Sequence, residues 1–149
     1  MNMLRRAALI AAPLCLAFSM PALAEDSYPV KPGDYVTIGM VTVDDGHDLE
    51  YMNWLAGQWR KRQDYAKAQG WITGYDILSN EHPRHGEPDI YLVTRFATWA
   101  SDAEQDKRGD AMRAYMAQTD AQMQASSAQR ATYRKQVGTM LLRSWTWKK

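Results

Sequence analysis

The chain has 149 residues, 46% of them hydrophobic, with 18 lysines and arginines set against 17 acids. A near-neutral chain of mixed sign carries no electrostatic footprint for nucleic acid or an anionic membrane, so both partner classes are set aside. The single cysteine, Cys15, excludes a disulfide framework, and the length fits one domain able to build its own core.

The first residues read as a targeting segment. Arg5 and Arg6 make the start basic, an apolar run follows over residues 7–18, and Ala22-Leu23-Ala24 has the small residues of a cleavage site. The run is too short to span a bilayer, so residues 1–24 read as a secretory signal peptide. Cleavage would leave a secreted, periplasmic chain with no cysteine and no membrane anchor, whose stability rests on packing alone.

Residues 25–34, with Pro29, Pro32 and Gly33, read as an extended leader. One domain then fills residues 35–149. Tyr35–Val43 is rich in β-branched residues and predicts a strand, closed by Asp44-Asp45-Gly46. In His47–Gln69 the residues Leu49, Met52, Leu55, Ala56, Trp59, Gln63 and Ala66 recur at helical spacing, and Gly70 stands at a C-cap position. Such a helix is about 35 Å long and a nine-residue strand about 30 Å, so the two can lie back to back.

Trp71–Ser79 and Asp89–Ala97 predict a hairpin around a polar loop, residues 80–88. Ser101-x-x-Glu104 is a capping box that opens a second helix at Asp102. Carried to Arg134 that helix would be about 50 Å, too long for the sheet. A break or bend is therefore expected at Gly109, with Met112, Met116, Thr119 and Met123 continuing a buried stripe. Val137-Gly138 turns the chain into a last strand, Thr139–Trp147.

The order βαββαβ predicts an α+β, ferredoxin-like fold, a four-stranded antiparallel sheet with two helices on one face. Alternation splits the strand residues into two sets. Val36, Ile38, Met40, Ile72, Leu78, Ile90, Leu92, Phe96, Met140 and Leu142 are mostly aliphatic and are assigned to the helices. Tyr35, Val41, Trp71, Tyr75, Ile77, Tyr91, Val93, Arg95, Leu141, Arg143, Trp145 and Trp147 fall on the other side. That second set is larger than the apolar patch a monomer shows and has the Trp, Tyr and Arg signature of interface cores. A homodimer formed face to face is expected, through Trp71, Tyr75, Tyr91, Arg95, Arg143, Trp145 and Trp147.

With Trp59 on the first helix, Gly70-Trp71 entering the second strand and Phe96-x-x-Trp99 leaving the third, the chain resembles the dimeric α/β-barrel superfamily of ferredoxin-like folds. NIPSNAP-like proteins, antibiotic-biosynthesis monooxygenases and EthD-like proteins are groups within it. The resemblance covers most of residues 35–147. It implies a dimer with a pocket between sheet and helices, of the kind used for cofactor-free oxidation, isomerisation, haem binding or small-ligand sensing. No catalytic set of those groups transfers onto residues of this chain.

Candidate chemistry is sparse. Asp76 is an acid among Ile72, Gly74 and Leu78, and His47 opens the first helix; these are the catalytic candidates. Tyr51, Trp54 and Arg95 are the ligand-binding candidates, with Arg95 either pairing across the dimer or holding an anionic ligand. His82-x-x-His85 stands near Glu81, Glu87 and Asp89, but in a loop with Pro83, Gly86 and Pro88, so neither a metal nor a cofactor is expected. The leading expectation is a binding module for a small molecule or another protein. The alternative is a cofactor-independent monooxygenase, isomerase or lyase acting on a small aromatic or apolar substrate in a sheet–helix cavity.

Overall fold

The computed structural model describes residues 28–149, so the signal peptide read over residues 1–24 lies outside the described residues, as do residues 25–27. The elements are β1 (Val30–Val43), α1 (Asp48–Trp54), a π-helical stretch (Leu55–Trp59), α2 (Arg60–Ala68), β2 (Gly74–Ser79), β3 (Ile90–Phe96), α3 (Asp102–Met116), α4 (Asp120–Arg130) and β4 (Arg134–Trp147). The strands form one sheet in the order β2-β3-β1-β4, every neighbouring pair antiparallel. This is the α+β, ferredoxin-like arrangement that the order of elements predicts.

The boundaries differ from expectation at two places. β1 begins at Val30, so Val30–Asp34 of the segment read as a leader belongs to the sheet, paired with the end of β4. Pro32 is tolerated there because the β1–β3 pairing ends at Tyr35↔Phe96, which leaves β4 as the one neighbour of this stretch. The helical segment after β3 breaks at Ala117, not at Gly109, which sits inside α3. Ala117 takes a left-handed φ of 51°, and Thr119 with Gln122 then forms a complete capping box for α4.

Helix α1 runs through the π-helical stretch into α2 without leaving the axis, and this stretch brings Leu55 and Trp59 to the sheet below Tyr51. The core consists of Val41, Val43, Tyr51, Leu55, Trp59, Ile90 and Tyr133, with Trp54, Tyr75 and Leu92 packed against it. These contacts fix which way each strand faces. Val41 and Val43 face the helices, and with them Gly39, Thr37 and Tyr35; the cross-strand partners Ile90, Leu92, Thr94 and Phe96 share that side. Tyr75 and Ile77 of β2 and Leu141 and Arg143 of β4 also lie there.

The aliphatic residues Val36, Ile38, Met40, Leu78, Met140 and Leu142 therefore occupy the face without helices, together with Tyr91, Val93 and Arg95. This reverses the expected assignment for β1, β2 and β4 and keeps it for β3. Two bulges, between Pro32 and Tyr35 and between Met40 and Val41, shift the β1–β4 register. Past the first of them, Pro32↔Trp145 and Val30↔Trp147 continue as a two-stranded ribbon on which Trp145 and Trp147 are 57% and 78% exposed.

Candidate functional site

A cleft of about 310 Å³ opens on the helix side of the sheet, at the Tyr35–Phe96 end. Local chain geometry puts its aromatic walls in place. Gly70, at φ 71°, closes α2 with paired bonds, its own amide to the Lys67 carbonyl (3.0 Å) and the Trp71 amide to the Ala66 carbonyl (2.9 Å). That motif turns Trp71 back under α2. Tyr65 meets Trp71 edge-on at 5.4 Å, and the Arg108 guanidinium of α3 lies over the same indole at 5.6 Å. Opposite, Phe96 stacks on Tyr35 at 5.6 Å and touches Trp99 at 5.7 Å. Thr37, on the helix-facing side of β1, contributes a small side chain to the lining, and neighbouring Gly39 has none.

The lining is chiefly Ala66, Trp71, Ile72, Phe96 and Trp99, and its polar groups are Thr37, Thr98, Gln105 and Arg108. Arg108 is fixed by a 2.9 Å ion pair with Glu104. The arrangement suits an apolar, planar molecule gripped by ring faces, with one polar edge toward Gln105 and Arg108.

A second hollow, about 520 Å³, lies between α1, the π-helical stretch and the β2 edge, lined by Met52, Leu55, Ala56, Trp59, Arg60, Tyr75, Asp76 and Ile77. This is the sheet–helix space in which the enzymatic alternative would operate. It brings in Asp76 but not His47, Tyr51 or Trp54. Asp76 is already engaged by Arg95 of the adjacent strand, and both side chains are about half exposed. Arg95 thus pairs within its own chain.

His47 stands at the other end of the sheet. Its Nδ1 meets Glu50 Oε2 at 2.9 Å and its ring stacks on Tyr133 at 5.2 Å, as befits a residue fastening the start of α1. In the loop after β2, Asp89 accepts the Val43 amide (2.9 Å) and Glu87 accepts the Arg84 amide (2.9 Å), so these acids hold backbone. Among the described residues no group of three or more His, Cys, Asp or Glu is placed to share a metal ion.

Of the residues expected at a dimer face, Trp71, Tyr75 and Arg143 belong to the helix side. Trp71 lines the cleft, Tyr75 packs edge-on against Trp59 at 5.3 Å, and Arg143 lies over Tyr35 at 4.6 Å. Tyr91 and Arg95 do face away from the helices, and Trp145 and Trp147 stand on the ribbon.

Tyr51 and Trp54 share an environment that sequence reading did not anticipate. Tyr51 is 1% exposed and stacks on Trp54 at 5.8 Å. Arg130, the last residue of α4, lies over Trp54 at 4.0 Å, and Arg134, the first of β4, over Tyr51 at 5.7 Å. The Nε atoms of Arg62, Arg130 and Arg134 are buried without a hydrogen-bond partner in the protein. Each such group costs about 1–3 kcal/mol if left so.

Burial raises the Tyr51 phenol above its ordinary value of 10.0, against the opposing pull of Arg134 and then Arg130. The hydrogen bond to Asp64 raises Tyr75, and burial followed by the Glu50 charge raises Tyr133. A raised phenol holds its proton more tightly folded than unfolded, so its stabilisation is complete below about pH 10 and is lost as pH climbs through the folded-state value. Urea unfolding between about pH 9 and 11.5 should show stability falling above about pH 10, and Tyr51→Phe should make that fall shallower. A fall of equal slope in the variant would mean that Tyr51 is not among the groups responsible.

No family model matches the chain, and no curated protein matches it significantly. Among solved structures it is similar to a NIPSNAP family protein with unknown function from Agrobacterium tumefaciens str. C58, at 13% identity and a TM-score of 0.45, over 78% of this chain and 90% of that one.

Proposed function

We propose that the protein is a homodimeric binding module that takes a small apolar or aromatic molecule into the cleft walled by Trp71, Phe96 and Trp99. The single observation that carries this reading is the cleft itself. Its volume falls at the small end of the about 300–1,000 Å³ usual for ligand sites, and three aromatic faces converge on it from the turn after α2, from β3 and from the segment before α3. The residues around it offer packing and an orienting edge. The catalytic candidates His47 and Asp76 are not among its lining. That favours binding over the oxygenase, isomerase or lyase alternative.

Dimerisation rests on the face without helices. Its strands are set about 4.8 Å apart and run about 25 Å, so pressing two copies together would remove roughly 1,000 Å² from water, the lower bound of a specific interface. Leu78, Met140 and Leu142 there are 51%, 37% and 46% exposed, a cost that a second identical aliphatic face relieves. The export expected from residues 1–24 belongs to the same reading, since a domain without cysteine would depend on such burial outside the cell.

The dye 8-anilinonaphthalene-1-sulfonate, an anionic aromatic probe, tests the cleft. It should bind with one site per chain, Trp71→Ala should weaken that binding about tenfold or more by removing a stacking wall, and a charge placed on the opposite sheet face should leave it unchanged. Binding indifferent to Trp71→Ala would remove the cleft from consideration.

A further inference from the structure

We propose that Arg62, Arg130 and Arg134 form a second binding site, for a small oxyanion of two or more negative charges, a phosphate group or a dicarboxylate. It lies at the Val43–Arg134 end of the sheet, away from the aromatic cleft, and does not depend on that cleft being occupied.

The argument begins with how this chain treats its arginines. Among the described residues Arg60, Arg84, Arg95, Arg108 and Arg113 each pair with a carboxylate. Arg143 instead donates to the Gly33 carbonyl (3.3 Å). Arg62, Arg130 and Arg134 have no acid within ion-pair distance, although all three are partly buried, where a lone charge is least tolerated. They are also close enough to act on one another: the charges of Arg134 and Arg62 both bear on Arg130. Glu50, whose charge reaches Tyr133 beside them, is turned to His47.

Each guanidinium is positioned rather than loose. Arg62 donates to Gln118 Oε1 (3.0 Å) at the end of α3, and Arg130 donates to Ser126 Oγ (2.6 Å). Arg130 and Arg134 lie over Trp54 and Tyr51, which are themselves stacked. A guanidinium held by its flat face against a ring keeps its N–H edge for another partner, and that edge matches a planar or tetrahedral oxyanion in bidentate fashion. The Nη–H groups left over from these contacts are the donors that such a ligand would meet, while the buried Nε–H groups have no acceptor in the protein. Three like charges with no internal counter-charge favour an anion carrying more than one negative charge, hence phosphate or dicarboxylate over acetate or chloride.

The test uses the full chain at fixed ionic strength, with sodium chloride replaced stepwise by inorganic phosphate or by succinate. Thermal unfolding gives stabilisation by mass action, and its dependence on anion concentration gives the affinity. Saturable stabilisation by phosphate above succinate identifies a phosphoryl site; the reverse order identifies a dicarboxylate site. Arg130→Gln and Arg134→Gln should each weaken binding about tenfold or more, the loss expected for one charge-assisted contact. Arg143→Gln, at an arginine also without a carboxylate partner but outside the cluster, should bind as the wild type does. Should either cluster variant fold poorly, Arg134→Lys keeps the charge without the fork and should still weaken binding. Wild-type protein indifferent to both anions at constant ionic strength, or equal responses in Arg143→Gln and Arg130→Gln, would overturn the proposal.

Discussion

Truncating Leu55 to alanine is expected to lower folding stability by about 3 kcal/mol, within the range of about 2–5 for a fully buried leucine. Leu55 is 0% exposed and sits in the core cluster with Tyr51 and Trp59 of its own helix, and with Val41 and Ile90 of the sheet. The cavity it leaves is flanked by aromatic rings stacked or packed elsewhere, Tyr51 on Trp54 and Trp59 on Tyr75, so the walls have little room to collapse. Leu49→Ala, six residues earlier at a position 73% exposed, should change stability by less than about 0.5 kcal/mol. Denaturant titration of the two variants gives the comparison directly. Equal small effects would mean that the π-helical stretch does not seat on the sheet as described.

Ile38→Asp carries the second large expectation. Ile38 lies between Val93 and Met140 in the middle of the face without helices. In a face-to-face dimer the new carboxylate would be buried against its own copy, a cost of about 3–5 kcal/mol, which weakens association about a hundredfold or more. In the separated chain the position is only half-buried, so the variant should keep its far-ultraviolet circular dichroism. Sedimentation at tens of micromolar should give dimer for the wild type and monomer for Ile38→Asp. A monomeric wild type, or a variant with undiminished mass, would contradict the proposed assembly.

The order of elements was legible because helix and strand periods are clear over Leu49–Ala66 and Val36–Val43, and because Gly70 and Ser101 mark helix ends by known chemistry. The facing of the sheet was not. Parity is normally read from a polar side, and here neither side is polar. The larger residues of β1, Val36, Ile38 and Met40, suit a core side, yet the side facing the helices holds Thr37 and Gly39. Their small size leaves room for the cleft, so the feature that misdirected the assignment is the one that makes space for a ligand. The break at Ala117 was readable from Thr119-x-x-Gln122, the same signature that marked Ser101, whereas Gly109 needed no special backbone and stayed helical. Nothing local announced the arginine cluster. Arg62, Arg130 and Arg134 come from α2, α4 and β4; the stacked Tyr51 and Trp54 seat Arg130 and Arg134, and Gln118 holds Arg62.

The ribbon joining Val30–Pro32 to Trp145–Trp147 also bears on how the chain reaches its fold. Pairings there connect residues as much as 117 positions apart, as between Val30 and Trp147, so β1 is synthesised first and its longest partner last. Until β4 emerges, β1 has only β3 beside it and one strand edge open. Closing so long a loop is entropically slow, and an open edge during that interval invites pairing with other chains. Folding yield should therefore respond to chain concentration and to any shortening of the C-terminus more sharply than the stability of the finished domain suggests.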